Sequence, residues 1–136
     1  MAKTMNSASE IITFDASSGL LTTTAEGKVA YLDGNMSVDI ASTASDKIVG
    51  VVSSINRLSS SSEQVGVIVH GMGKATMRSA TACTYGDWLV ASTNGSVDVY
   101  GTNTAQQNIV GYALETPGTG GAVTVYVHPV PFGIYN

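Results

Sequence analysis

The chain has 136 residues and a net charge of −4, with 43% hydrophobic and only 12% charged residues. That length is one domain's worth and buries roughly two-thirds of its unfolded surface, enough for a core without disulfides. Six scattered Lys and Arg make no basic stripe for phosphates, so nucleic acid is not an expected partner. No apolar run approaches the ~20 residues of a membrane-spanning helix. The polar segment 1–10 lacks the apolar stretch of a signal peptide. Sixteen Ser and 15 Thr take the place of the missing charge. A long amphipathic helix needs a strongly polar face, so helical bundles are disfavoured, while 16 Val favour strands.

In chain order, a polar N-terminal arm over residues 1–10, expected to be flexible, leads into strands predicted at 11–14, 28–32, 38–40, 48–55, 65–70, 74–77, 88–91, 97–100, 109–115 and 122–128. Each is short and bounded by Gly, Asn, Asp or Ser. Asp33-Gly34 and Asn94-Gly95 are hairpin signals, because Gly and Asn tolerate the positive φ of tight turns. Residues 59–62 and 118–121 read as loop tips, and 79–85 as a turn or one short helix. Val65, Val67 and Val69 alternate, as do Val123, Val125 and Val127, so each of those strands buries one face.

An internal repeat organises these elements. Residues 27–40 align with 86–99 at an offset of 59. Ser37-Val38-Asp39-Ile40 answers Ser96-Val97-Asp98-Val99, and Ile48-Val49-Gly50 answers Ile109-Val110-Gly111. Val65-x-Val67-x-Val69-His70 answers Val123-x-Val125-x-Val127-His128. The expected fold is therefore all-β: a small β-barrel or sandwich, β-tulip-like, with a pseudo-two-fold internal repeat. Residues 11–128 form one β domain, with repeats at about 27–71 and 86–129, followed by an extended Pro/aromatic tail over 129–136.

The residues that could carry chemistry are few. His70 and His128 are repeat-related, but a metal pair needs two further ligands and no Cys or carboxylate lies beside either. They read as exposed strand-end residues. Asp39 and Asp98 are also repeat-related, which is the arrangement of aspartic proteases. Each is followed by Ile or Val rather than by the Thr-Gly or Ser-Gly of that chemistry, so both read as surface strand residues. Cys83 has no basic neighbour and reads as a buried small hydrophobe. Gly71-Met72-Gly73-Lys74 lacks the spacing of a phosphate loop. Trp88 and Tyr31 fall near the same repeat strand, so Trp88 reads as core. No catalytic residue, cofactor or metal is expected.

Both ends carry apolar residues outside the repeat: Ile11, Ile12 and Phe14 on one side, and Phe132, Ile134 and Tyr135 in the Pro129–Pro131 tail on the other. These six are the candidate partner contacts, by strand addition or apolar docking.

The repeat motifs resemble those of the small all-β decoration (cement, head-stabilising) proteins of tailed bacteriophages. The matching stretches are Gly27-Lys28-Val29-Ala30-Tyr31, Ile48-Val49-Gly50-Val51-Val52, Val65-Gly66-Val67-Ile68-Val69-His70-Gly71, Gly86-Asp87-Trp88-Leu89-Val90 and Ile109-Val110-Gly111-Tyr112-Ala113. They span about 25–128, and their order is more specific than any one of them. Pro129 departs from the pattern, and the tail lies outside it. The resemblance implies a homotrimer bound to the major capsid protein on the outer surface of an expanded head, assembled in the host cytoplasm, with no catalytic residues. The alternative reading is a carbohydrate- or receptor-binding β module of a virion or cell surface, marked by an aromatic cluster on one open face.

Overall fold

A computed structural model describes residues 9–17, 26–44, 46–59, 62–79, 81–101 and 106–134. The strands are β1 (Glu10–Ala16), β2 (Val29–Gly34), β3 (Ser37–Ile40), β4 (Ile48–Ser59), β5 (Ser62–Thr76), β6 (Trp88–Ala91), β7 (Val97–Val99), β8 (Gln106–Ala113) and β9 (Ala122–Ile134). They form one sheet in the order β1-β3-β2-β4-β5-β9-β8-β6-β7. A further β1–β5 pairing closes the first five strands into a barrel. The described residues of segment 79–85 are not helical: Thr81 N–H donates to Arg78 O and Asp87 N–H to Thr84 O.

Strand β5 belongs to two units. Its first part, to His70, pairs with β4 and β1. From Gly71 to Thr76 it pairs with β9. The second unit then runs β5-β9-β8-β6-β7, and a parallel bridge between Met77 and Val97 brings its ends together. In the first unit the same job is done by the parallel pair Ala16 and Val38.

The units match bond by bond. Gly27 N–H donates to Val52 O as Gly86 N–H does to Ala113 O. Ala41 N–H donates to Val29 O as Tyr100 N–H does to Trp88 O. Ser17 N–H donates to Val38 O as Arg78 N–H does to Val97 O. Segments 37–40 and 96–99 therefore occupy equivalent places, and the repeat seen in the residues is a duplication of structure.

Two predicted breaks are absent. The strands expected at 65–70 and 74–77 are one strand, because Gly73 is a close approach and not a loop. A Cβ there would lie 3.2 Å from Ile68 Cδ1 and 3.3 Å from Val127 Cγ2. The last strand also runs on to Ile134, through Pro129 and Pro131. Proline is accepted on a strand where its missing N–H has no partner to serve. Beyond Val127, β8 is the only described neighbour of β9.

The interiors follow the alternation. Phe14, Ala30, Val38, Val52, Val65 and Val67 fill the first barrel. Their equivalents Ala75, Leu89, Val97, Ala113, Val123 and Val125 fill the second unit. Burying each Val or Leu contributes roughly 1.5–3 kcal/mol before entropy is counted.

Gly50 and Gly111 hold equivalent close crossings. A Cβ on Gly50 would collide with the carbonyl oxygen of Ile68, and one on Gly111 with that of Tyr126. Gly50→Ala and Gly111→Ala should each lower stability by about 2 kcal/mol or more in denaturant unfolding. Gly118→Ala is the neutral control, because a Cβ there meets nothing within 4 Å. Loss of less than about 1 kcal/mol at both crossings would contradict this packing.

Candidate functional site

Strands with one buried face hold their alternate residues outward, and in the second unit those residues are aromatic. Trp88 on β6 sits across from Tyr112 on β8, and Tyr112 across from Tyr126 on β9. Their rings touch in sequence. Trp88 and Tyr112 meet edge to face with centroids 5.2 Å apart, and Tyr112 and Tyr126 are 5.5 Å apart. The row continues from Tyr126 to His70 at 5.3 Å and from His70 to His128 at 5.2 Å. Contacts of this kind add about 0.5–1.5 kcal/mol each beyond area burial. Trp88 is 45% exposed, His128 is exposed, and Tyr112, Tyr126 and His70 are half-buried against one another.

The core assignment of Trp88 is corrected by this placement. The inward residue of β6 is Leu89, fully buried, whose equivalent is Ala30. Trp88 occupies the place of Val29, on the outward side of its strand; Val29 is buried only because the second unit lies over it, and Trp88 is 45% exposed.

A polar clasp borders the strip. Lys74 and Thr124 are opposed on β5 and β9. Glu115 accepts hydrogen bonds from Thr124 N–H at 2.8 Å and Thr124 Oγ1 at 2.7 Å, with Lys74 Nζ at 3.6 Å. Those hydrogen bonds first, and the Lys74 charge after them, hold its carboxyl below the usual glutamate range.

The other candidates are local. Asp39 Oδ1 accepts from Ile40 N–H, and Asp98 Oδ1 from Val99 N–H, the same self-closing bond in both units. Asp98 Oδ2 also pairs with Arg78 Nε at 2.9 Å. Each carboxylate is thus used where it stands. Among the described residues no three His, Cys, Asp or Glu side chains converge in a way that could hold a metal. Gly71 to Lys74 lies within β5 and forms no loop. A cleft of about 800 Å³ between the units is lined by Glu26, Lys28, Met77, Arg78 and Asn94 among others.

The six candidate partner contacts separate. Ile11 and Ile12 are 53% and 40% exposed on β1. Phe14 is only 6% exposed and packs in the first barrel beside Val65, so it is a core residue. Ile12 and Phe14 are opposed to Val67 and Val65 on β5, but only Phe14 belongs to the buried cluster of the first barrel. Phe132 and Ile134 are on β9, which pairs with β8 there; their side chains, and Tyr135 altogether, lie outside the described residues.

Cys83 is 5% exposed. Burial, and then the Asp87 charge, push its thiol above the usual cysteine range. The thiolate is the reactive form, so a disulfide reagent at pH 8 should react with the native protein at least ~10-fold more slowly than with the urea-unfolded chain. Equal rates would mean that Cys83 is accessible. In comparisons with known proteins, no family model and no curated protein matches this chain.

Proposed function

We propose that the chain is a structural virion protein that binds the outer surface of a tailed-phage capsid and stabilises the expanded head as a homo-oligomer, a trimer. The observation that carries this reading is the ordered duplication. The motif order that resembles the decoration proteins is also the order of equivalent strands, register for register, in two joined units. A fold of this kind suits a clamp. β5 runs unbroken through both units, so load on one is passed to the other through covalent backbone and two hydrogen-bonded ladders. The surface that meets other proteins is poor in charge, so little desolvation opposes docking. Many copies on one shell multiply weak contacts by effective concentration.

The capsid contact falls on β1. Residues Glu10 to Phe14 pair with β5 on one side, whereas β3 reaches only Asp15 and Ala16 on the other. Among the described residues that leaves an edge beside the exposed Ile11 for a strand or apolar side chain of the major capsid protein. Incubation with undecorated expanded heads, followed by sedimentation, tests the reading. The wild-type chain should co-sediment to saturation and raise the temperature at which heads release DNA. Ile11→Asp should bind about tenfold more weakly with unchanged unfolding behaviour, as expected for one lost apolar contact. No binding by the wild type would end the capsid reading.

A second reading, a carbohydrate-binding module, is favoured by one observation, the exposed Trp88–Tyr112–Tyr126 row, because sugar faces stack on such rings. Trp88 is the only tryptophan, so its emission isolates the row. Under the capsid reading, oligosaccharides leave that emission unchanged. Saturable quenching by a sugar would instead assign the row to carbohydrate.

A further inference from the structure

The duplication lets buried and exposed surfaces be compared position by position. In the first unit, Val29 pairs with Val51 and Val51 with Ile68, forming a row across β2, β4 and β5. In the second, Trp88 pairs with Tyr112 and Tyr112 with Tyr126, the same row across β6, β8 and β9. The first row lies on the outside of its own barrel, since the interior there is Ala30, Val52 and Val67. Even so it is 0%, 1% and 8% exposed, because the second unit covers it. The cover is formed at Gly73, against which Ile68 and Val51 pack, and at Gly95, whose N–H donates to Ala41 O at 2.7 Å. Among the described residues the second row has no such cover, and Trp88 is 45% exposed.

The covering surface also has a counterpart. Register equates Gly73 with Ile12: Ile12 pairs with Val67 and Gly73 with Val125. Turn geometry equates Gly95 with Met36, both at positive φ. Ile12 and Met36 are 40% and 56% exposed. Met36 adopts a left-handed backbone that an L side chain rarely takes, so this turn keeps a large apolar side chain where glycine would be easier. Each unit thus has an outer row and a capping surface. One of each is consumed inside the chain, and one of each is left over on opposite units.

We infer that the leftover surfaces join copies of this chain head to tail, the Trp88–Tyr112–Tyr126 row of one copy docking on the Ile12 and Met36 surface of the next. The internal joint has small groups on its capping side, Gly73 and Gly95, and aliphatic side chains on its row. The intermolecular joint has larger groups on both sides, so the units stand further apart there. Trp and Tyr are the side chains that most often anchor such interfaces. Contacts that are not self-complementary build rings or open filaments, and a trimer is one such ring. The inference deepens the oligomeric part of the proposed function and rests on that part, not on the capsid.

The test uses the full chain and two variants, Trp88→Asp and Ile12→Asp, with mass read by sedimentation and folding by circular dichroism. The wild type should assemble with concentration, and Trp88 emission should shift to the blue over the same range. Each variant alone should associate at least ~10-fold more weakly. An equimolar mixture should form a one-to-one dimer that grows no further, because each variant keeps the surface the other lacks. Variants that retain wild-type assembly, or a folded mixture that stays monomeric, would overturn the inference. If either variant unfolds, Tyr126→Ser and Met36→Ser replace the pair. The wild-type emission needs no variant: an oligomer whose Trp88 emission does not change on dilution to monomer also overturns it. A wild type that stays monomeric and shifts its emission only with added heads would assign the row to the capsid instead. Binding to heads with a failed mixing result would refute this inference alone, and the reverse outcome would refute the capsid reading alone.

Discussion

Strand β5 changes partners between His70 and Gly71. Before that point it is a wall of the first barrel, hydrogen-bonded to β1 and β4; after it, it is the opening strand of the second unit, paired with β9. A strand shared in this way brings two curved sheets together at the exchange, and the backbone there must tolerate close packing. Gly73 supplies the room by having no side chain where Ile68 and Val127 arrive. The division of the core follows. One cluster is the interior of the first barrel, and the other joins the interior of the second unit to the outer row Val29, Val51 and Ile68.

Much of this architecture was legible in the residues, because it rests on patterns with a period of two. The Val-x-Val runs locate β5 and β9, and Ser-Val-Asp locates β3 and β7. The paired Ile-Val-Gly runs mark the crossings where Gly50 and Gly111 let a carbonyl approach. What was not legible depends on partners that local pattern does not name. Gly71 and Gly73 look like a turn unless one knows that a second sheet crosses there. Pro129 looks like a stop unless one knows that its edge of β9 has no described neighbour. Trp88 depends on cover: it has the outward parity of Val29, which is buried only because the second unit lies over it. Phe14 looked available because it stood near an end of the chain, whereas its register with Val65 puts it inside.

The aromatic row was partly visible. Tyr112, Tyr126 and His128 occupy alternate positions beside buried Val and Ala, which is the mark of an outward face. Only the register brings Trp88, Tyr112, Tyr126 and His70 into one contiguous line. The duplication then supplies a contrast that no single unit offers. The same lattice point carries Val29 under cover in one unit and Trp88 in the open in the other.

The shared strand also sets a timetable for biosynthesis. The first barrel needs β1 on residues 64–70, and the second unit needs residues 71–76 against β9. Strand β1 can therefore meet β3 at Ser37 and Val38 early, but its longer ladder waits until residues 64–70 have been made, and the second unit is incomplete until β9 emerges. Contacts this distant along the chain carry a high contact order and form slowly. During that interval the nascent polypeptide holds Ile11, Ile12 and Phe14 without their later partners Ile68, Val67 and Val65.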